Sequence, residues 1–83
     1  MKLFLVSQNQ NNDYDTYDSF VVACETEDEA RNTHPYGRPM TQEDWDYVYS
    51  SWCNSVDHVK VQYLGEADSS VAKGIVCSSF NAG

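Results

Sequence analysis

The sequence predicts an α+β fold: a small antiparallel sheet of about four strands, in the chain order β-β-α-α-β-β, with one or two helices packed on one face. Three observations predict it. Short apolar runs rich in β-branched and aromatic residues occupy the two ends of the chain, at residues 3–6, 20–24, 59–64 and 75–80. Between the second and third runs stand two helix-start signals, Thr26-Glu27-Asp28-Glu29 and Thr41-Gln42-Glu43-Asp44. The chain has 83 residues, enough for one domain spanning residues 1–83 with a single thin core.

The first run, Leu3, Phe4, Leu5 and Val6, is apolar on both of its alternating faces. It reads as a central strand with an apolar neighbour on each side. Residues 7–18 are polar, lack glycine and are too long for a two-residue hairpin turn, so they form a longer loop. Phe20, Val21, Val22, Ala23 and Cys24 follow as a buried strand. In the capping box that comes next, the Thr26 hydroxyl accepts from the Glu29 amide and the Glu29 carboxylate reaches back to the Thr26 amide. The helix begins at Glu27, and its acidic first turn suits the positive end of the helix dipole, worth about 0.3–1 kcal/mol. His34-Pro35 stops it, and Tyr36-Gly37-Arg38-Pro39 is turn material.

Thr41 caps the second helix. Trp45, Val48, Tyr49 and Trp52 then fall at i, i+3, i+4 and i+7, a stripe that packs on the sheet and leaves Asp44, Asp46 and Tyr47 toward solvent. The alternative is that the stripe is an exposed aromatic binding face. Val59, Val61 and Tyr63 alternate with Lys60, Gln62 and Leu64 in a half-buried third strand that Gly65 ends. Residues 66–73 connect it to a last strand, opened by Gly74 and running from Ile75 to Phe80.

Thirteen acidic against five basic residues give a net charge of −8, which repels phosphate backbones and anionic membranes. Direct nucleic-acid binding is disfavoured. No run of about eighteen apolar residues occurs, and the apolar run after Met1-Lys2 is too short for a signal peptide, so the chain reads as cytoplasmic. Cys24, Cys53 and Cys77 are odd in number, widely spaced and set among apolar neighbours, the pattern of reduced, buried thiols.

The motifs of catalysis are missing. His34 and His58 are the only histidines, and neither stands in a nucleophile-base pattern. Zinc needs four ligands, and Cys53 with His58 is the only close pair. Asn11, Asp13 and Asp15 imitate the start of a calcium loop, but Thr16 replaces the turn glycine and Val22 the bidentate glutamate. The chain therefore reads as a non-enzymatic protein with no cofactor and no metal.

Surface charge is what remains. Asp13, Asp15, Asp18, Glu25, Glu27, Asp28, Glu43, Asp44 and Asp46 all precede residue 47, and the predicted fold can draw the loop and both helix starts together. Carboxylates arrayed this way stand in for phosphates before a groove lined with Lys and Arg. Tyr14, Tyr17 and Tyr47 among them add contact area at low entropic cost. These twelve residues form the candidate partner-binding set.

The stretches YDTYDSFVVACETEDEARNTHP, VKVQYLGEAD and KGIVCSSFNAG resemble a family of small proteins of unassigned activity encoded by phages and prophages. The resemblance covers the strands and first helix and is loosest between residues 36 and 57. It implies a small accessory product in the bacterial host cytoplasm, and it brings no catalytic residues. Acidic products of that kind look like inhibitors of host defence, anti-CRISPR and anti-restriction proteins among them, that mimic nucleic acid on the basic surface of a host protein. The alternative function is a regulatory or assembly module that self-associates through its aromatic face or a sheet edge.

Overall fold

A computed structural model of the protein describes residues 1–48 and 51–81. Its elements run β1 (Lys2–Ser7), β2 (Thr16–Cys24), α1 (Glu27–Arg31), α2 (Gln42–Tyr47), a 3-10 turn at Val56–His58, β3 (Lys60–Glu66) and β4 (Gly74–Asn81). The four strands form one sheet in the order β3-β1-β2-β4, every neighbouring pair antiparallel. The predicted α+β architecture is the observed one.

The order follows from which strands can be apolar on their inner face without interruption. β1 and β2 occupy the centre, where Phe4 faces Val22 and Val6 faces Phe20 across the ladder. β3 and β4, in which no residue is fully buried, serve as the two edges. Phe4, Val6, Phe20, Val22 and Cys24 meet Ala30 of α1 and Val48, Trp52, Cys53 and Val59 in a single core. Leu3, Leu5 and Val21, pointing the other way by strand alternation, are half-buried and stand outside that core. The expectation of an apolar neighbour on both faces of β1 is thus corrected: the helices lie on one face only.

Four further expectations change. β2 starts at Thr16, because Thr16 pairs with Asn81 and Tyr17 with Phe80, which shortens the loop to residues 8–15. The Glu29 carboxylate turns to the Glu25 amide (3.3 Å) and to Lys73 (2.6 Å) instead of the Thr26 amide, while Thr26 Oγ1 still accepts from the Glu29 amide. Gly65 does not end β3. It pairs with Leu3 while Tyr63 pairs with Phe4, so Leu64 is an extra residue in a bulge, and the φ of +145° at Gly65 suits a residue without Cβ. Cys24 and Cys53 are buried and burial pushes the Cys53 thiol up to about 11, but Cys77 is exposed on the edge strand.

The long aromatic stripe also breaks. α2 ends at Tyr47, and the amides of Ser51 and Trp52 both bond back to the Val48 carbonyl at 2.9 Å. The Ser51 carbonyl accepts from the Tyr17 amide (2.8 Å), which ties this segment to β2. Trp52 reaches the core from beyond the helix, Trp45 packs on its margin half-buried, and Tyr49 lies outside the described residues. Among the described residues no helix is long and apolar enough to cross a membrane.

Candidate functional site

The loop between β1 and β2 is held by a buried amide at its base. Gln8 Nε2 donates to the carbonyls of Asn11 (2.8 Å) and Tyr17 (2.9 Å), and its Oε1 accepts from the Asn11 amide (2.9 Å). Asn11 Nδ2 donates in turn to the Trp52 carbonyl at 3.3 Å. At the loop's far end the Thr16 hydroxyl donates to the Asp13 carbonyl (2.5 Å), and Asp15, at φ 62°, donates its amide to the Asn81 carbonyl (2.5 Å). An aspartate tolerates that left-handed conformation better than most residues. With its backbone satisfied inward, the loop presents Asp13, Tyr14 and Asp15 to solvent.

Beside the loop runs a row of rings. Phe80 and Tyr17 lie 4.7 Å apart between centroids, Tyr17 and Tyr36 6.2 Å, and Tyr36 and His34 4.6 Å. Tyr36 stands on a turn in which the Gly37 amide donates to the His34 carbonyl and the His34 amide to the Arg38 carbonyl, each at 2.7 Å. Gly37 has φ +97°, and a Cβ there would come within 3.2 Å of Ile75 Cγ1, so glycine lets the turn sit down on β4. Between this turn and α2 opens a cleft of about 320 Å³ lined by His34, Tyr36, Thr41, Glu43, Asp44, Tyr47, Val48 and Ser51.

Two of the three predicted acidic groups therefore share one end of the molecule. Tyr17, at the end of the loop that carries Asp13, Tyr14 and Asp15, is joined by its amide to Ser51 and by its ring to Tyr36, and both of these line the cleft with Glu43, Asp44 and Tyr47. Glu25, Glu27 and Asp28 lie past the other end of β2, a nine-residue strand about 26 Å long, and Glu27 pairs there with Arg31 at 3.7 Å. Asp18 fastens the edge strand, its carboxylate accepting from Asn81 Nδ2 (2.7 Å) and the Ser79 hydroxyl (3.3 Å). Asp46 is exposed on α2 and accepts from Gln42 Nε2 at 3.4 Å.

Asp44 differs from its neighbours. Its carboxylate accepts two bonds from Arg38 (2.5 and 2.8 Å) and one from the Thr41 amide (2.8 Å), and these hold it far below the usual carboxylate range. It closes a full capping box with Thr41 and has little left for a partner, against the expectation of a free solvent-facing carboxylate. Among the described residues the ion pairs are Arg31–Glu27, Arg38–Asp44 and Lys73–Glu29. None reaches Asp13, Asp15, Glu43 or Asp46.

Burial holds the His34 imidazole below its ordinary value, and the charge of Arg38 adds to this. The folded state keeps His34 neutral while the unfolded chain protonates it near pH 6.5, so stability is lost as pH falls through 6.5. Thermal melts from pH 7.5 to 5.5 are expected to show a falling Tm well above the range where carboxylates titrate, and His34→Gln is expected to flatten it. Equal slopes in the two proteins would refute this assignment.

Tyr36 and Phe80 were not legible as surface-forming residues, nor His34 as a buried one lining the cleft. Tyr36 reads as turn material, Phe80 as the end of the last strand and His34 as a helix end. An aromatic residue inside a Pro-Tyr-Gly turn was the one available signal. Among the described residues no three of His, Cys, Asp and Glu gather as metal ligands. A second cleft of about 330 Å³, lined in part by Cys24, Glu29, Arg38 and Lys73, lies beside α1 and the β2–β4 pair. Compared with protein-family models, curated proteins and solved structures, the chain matches none.

Proposed function

We propose that this chain is a non-enzymatic binding protein whose acidic, tyrosine-bearing end docks on the basic surface of a nucleic-acid-handling protein of a bacterial host. The observation that carries the reading is the pairing of unneutralised carboxylates with exposed rings. Asp13, Asp15, Glu43 and Asp46 have no cationic partner among the described residues, and Tyr14, Tyr36, Tyr47 and Phe80 are exposed. Exposed large aromatics cost solvation unless something covers them, and aromatics with a charged rim are the composition of protein interfaces. The carboxylates would steer fast, salt-sensitive association. The phage-like resemblance of the sequence points the same way, toward an inhibitor of host defence of the anti-CRISPR or anti-restriction kind, acting as a mimic of nucleic acid.

The test is capture of partners from bacterial lysate at low and high salt, with identification by mass spectrometry. A basic nuclease, repressor or effector is expected at low salt and is expected to be lost at high salt. Asp13→Lys with Asp15→Asn and Asp46→Lys is expected to weaken binding of that partner by about 100-fold or more, a loss of several charge contacts. The counterpart at the opposite pole, Glu25→Lys with Asp28→Lys, is expected to leave it within about threefold. Full binding by the first variant would sink the proposal.

A further inference from the structure

We infer that the cleft between α2 and the turn at residues 34–37 is a recognition pocket for an arginine side chain carried on a peptide segment. The inference rests on the docking reading above and names the contact that would anchor it. Three features of the cleft converge on this one occupant.

The first is an unmatched carboxylate. Glu43 lines the cleft and its carboxylate makes no hydrogen bond or ion pair with any described residue, whereas Asp44 beside it is already satisfied by Arg38 and Thr41. The cleft therefore carries one net negative charge to be met by a cation. The second is the walls. Tyr36 and Tyr47 are 70% and 76% exposed and both line the cleft. Open tyrosine rings attract a cation over their faces, and a planar guanidinium stacks on them where an ammonium cannot.

The third is a buried donor. His34 is only 6% exposed and also lines the cleft. Its Nδ1 accepts from the Tyr36 amide at 3.0 Å, which places the proton of the neutral ring on Nε2. Nε2 has no partner among the described residues, and no side-chain polar atom among them is sealed from solvent without one. Nε2–H therefore keeps some contact with solvent, and His34 is one of the residues lining the cleft. A cation alone leaves that donor unanswered, as does a metal ion, which needs a bare ring nitrogen. A peptide-borne arginine answers both: its guanidinium pairs with Glu43 between the two tyrosines, and a backbone carbonyl of the same segment accepts from His34. The cleft of about 320 Å³ is at the small end for binding sites, the size for one long side chain.

The probe is N-acetyl-arginine N-methylamide, titrated into the intact protein and followed by NMR at the His34, Tyr36 and Tyr47 rings. Saturable shifts confined to those rings are expected, with the citrulline analogue, which keeps the shape and loses the charge, binding about tenfold or more weakly. Glu43→Gln is expected to weaken the arginine probe to a similar degree, while Glu27→Gln at the opposite pole leaves it unchanged. No saturation, equal binding of citrulline, or an unaffected Glu43→Gln variant would each overturn the inference. If the host partner is captured and the probe fails, the pocket alone falls. If the probe binds and lysate yields no basic partner, the docking reading falls and the pocket stands.

Discussion

Trp52→Ala is expected to cost roughly 3–5 kcal/mol, comparable to the whole stability of a domain this small, and to leave the protein largely unfolded at ambient temperature. Trp52 is 1% exposed and its ring lies 5.3 Å from that of Phe20, at the middle of the core face. Its truncation removes the largest fully buried side chain among the described residues and opens a cavity against Phe20 in the core. It also loosens the backbone that accepts from Asn11 Nδ2, and with it the base of the acidic loop. Trp45, half-buried at the core margin, is expected to cost about 1–2 kcal/mol on the same change. Urea denaturation of both variants separates the two positions. Equal losses would show that the two tryptophans form one continuous stripe after all.

The second large effect is expected from Gln8→Leu, at about 2–4 kcal/mol. The substitution keeps the size of the side chain and removes both bonds donated by Nε2 and the one accepted by Oε1. The carbonyls of Asn11 and Tyr17 and the amide of Asn11 then lose these three bonds in a place where Gln8 and Asn11 are 5% and 4% exposed. The loop should open as well as the protein weaken, because the Gln8 side chain bridges residue 8 to both residue 11 and residue 17. Hydrogen exchange at the Asn11 amide reads the loop, and chemical denaturation reads the whole. A loss under about 1 kcal/mol with exchange unchanged would mean that the loop is held elsewhere.

The acidic loop shows where sequence reasoning stops. Its polarity and length mark it as a loop, but Gln8 and Asn11 look no different from Asn9, Gln10 and Asn12 beside them. Two of these five polar residues are buried and make the framework. Their choice depends on the Trp52 carbonyl, 41 positions from Asn11, and on Tyr17 in the next strand, which no local pattern encodes. The same holds for the candidate surface. The acids were visible as a list, and which of them share an end of the molecule was decided by the length of β2 between Asp15 and Glu25.

By itself the sequence determined the existence, type and order of the elements, since alternation, capping residues and turn formers act over a few neighbouring positions. Thr26 and Thr41 cap their helices as read, and the four apolar runs are the four strands. Only the tertiary structure decided the strand order, the early end of α2 and the cleft between Tyr36 and Tyr47. Each of these depends on contacts between distant residues, such as Ser51 with Tyr17 and Gly37 with Ile75, whose geometry exists only once the core has closed.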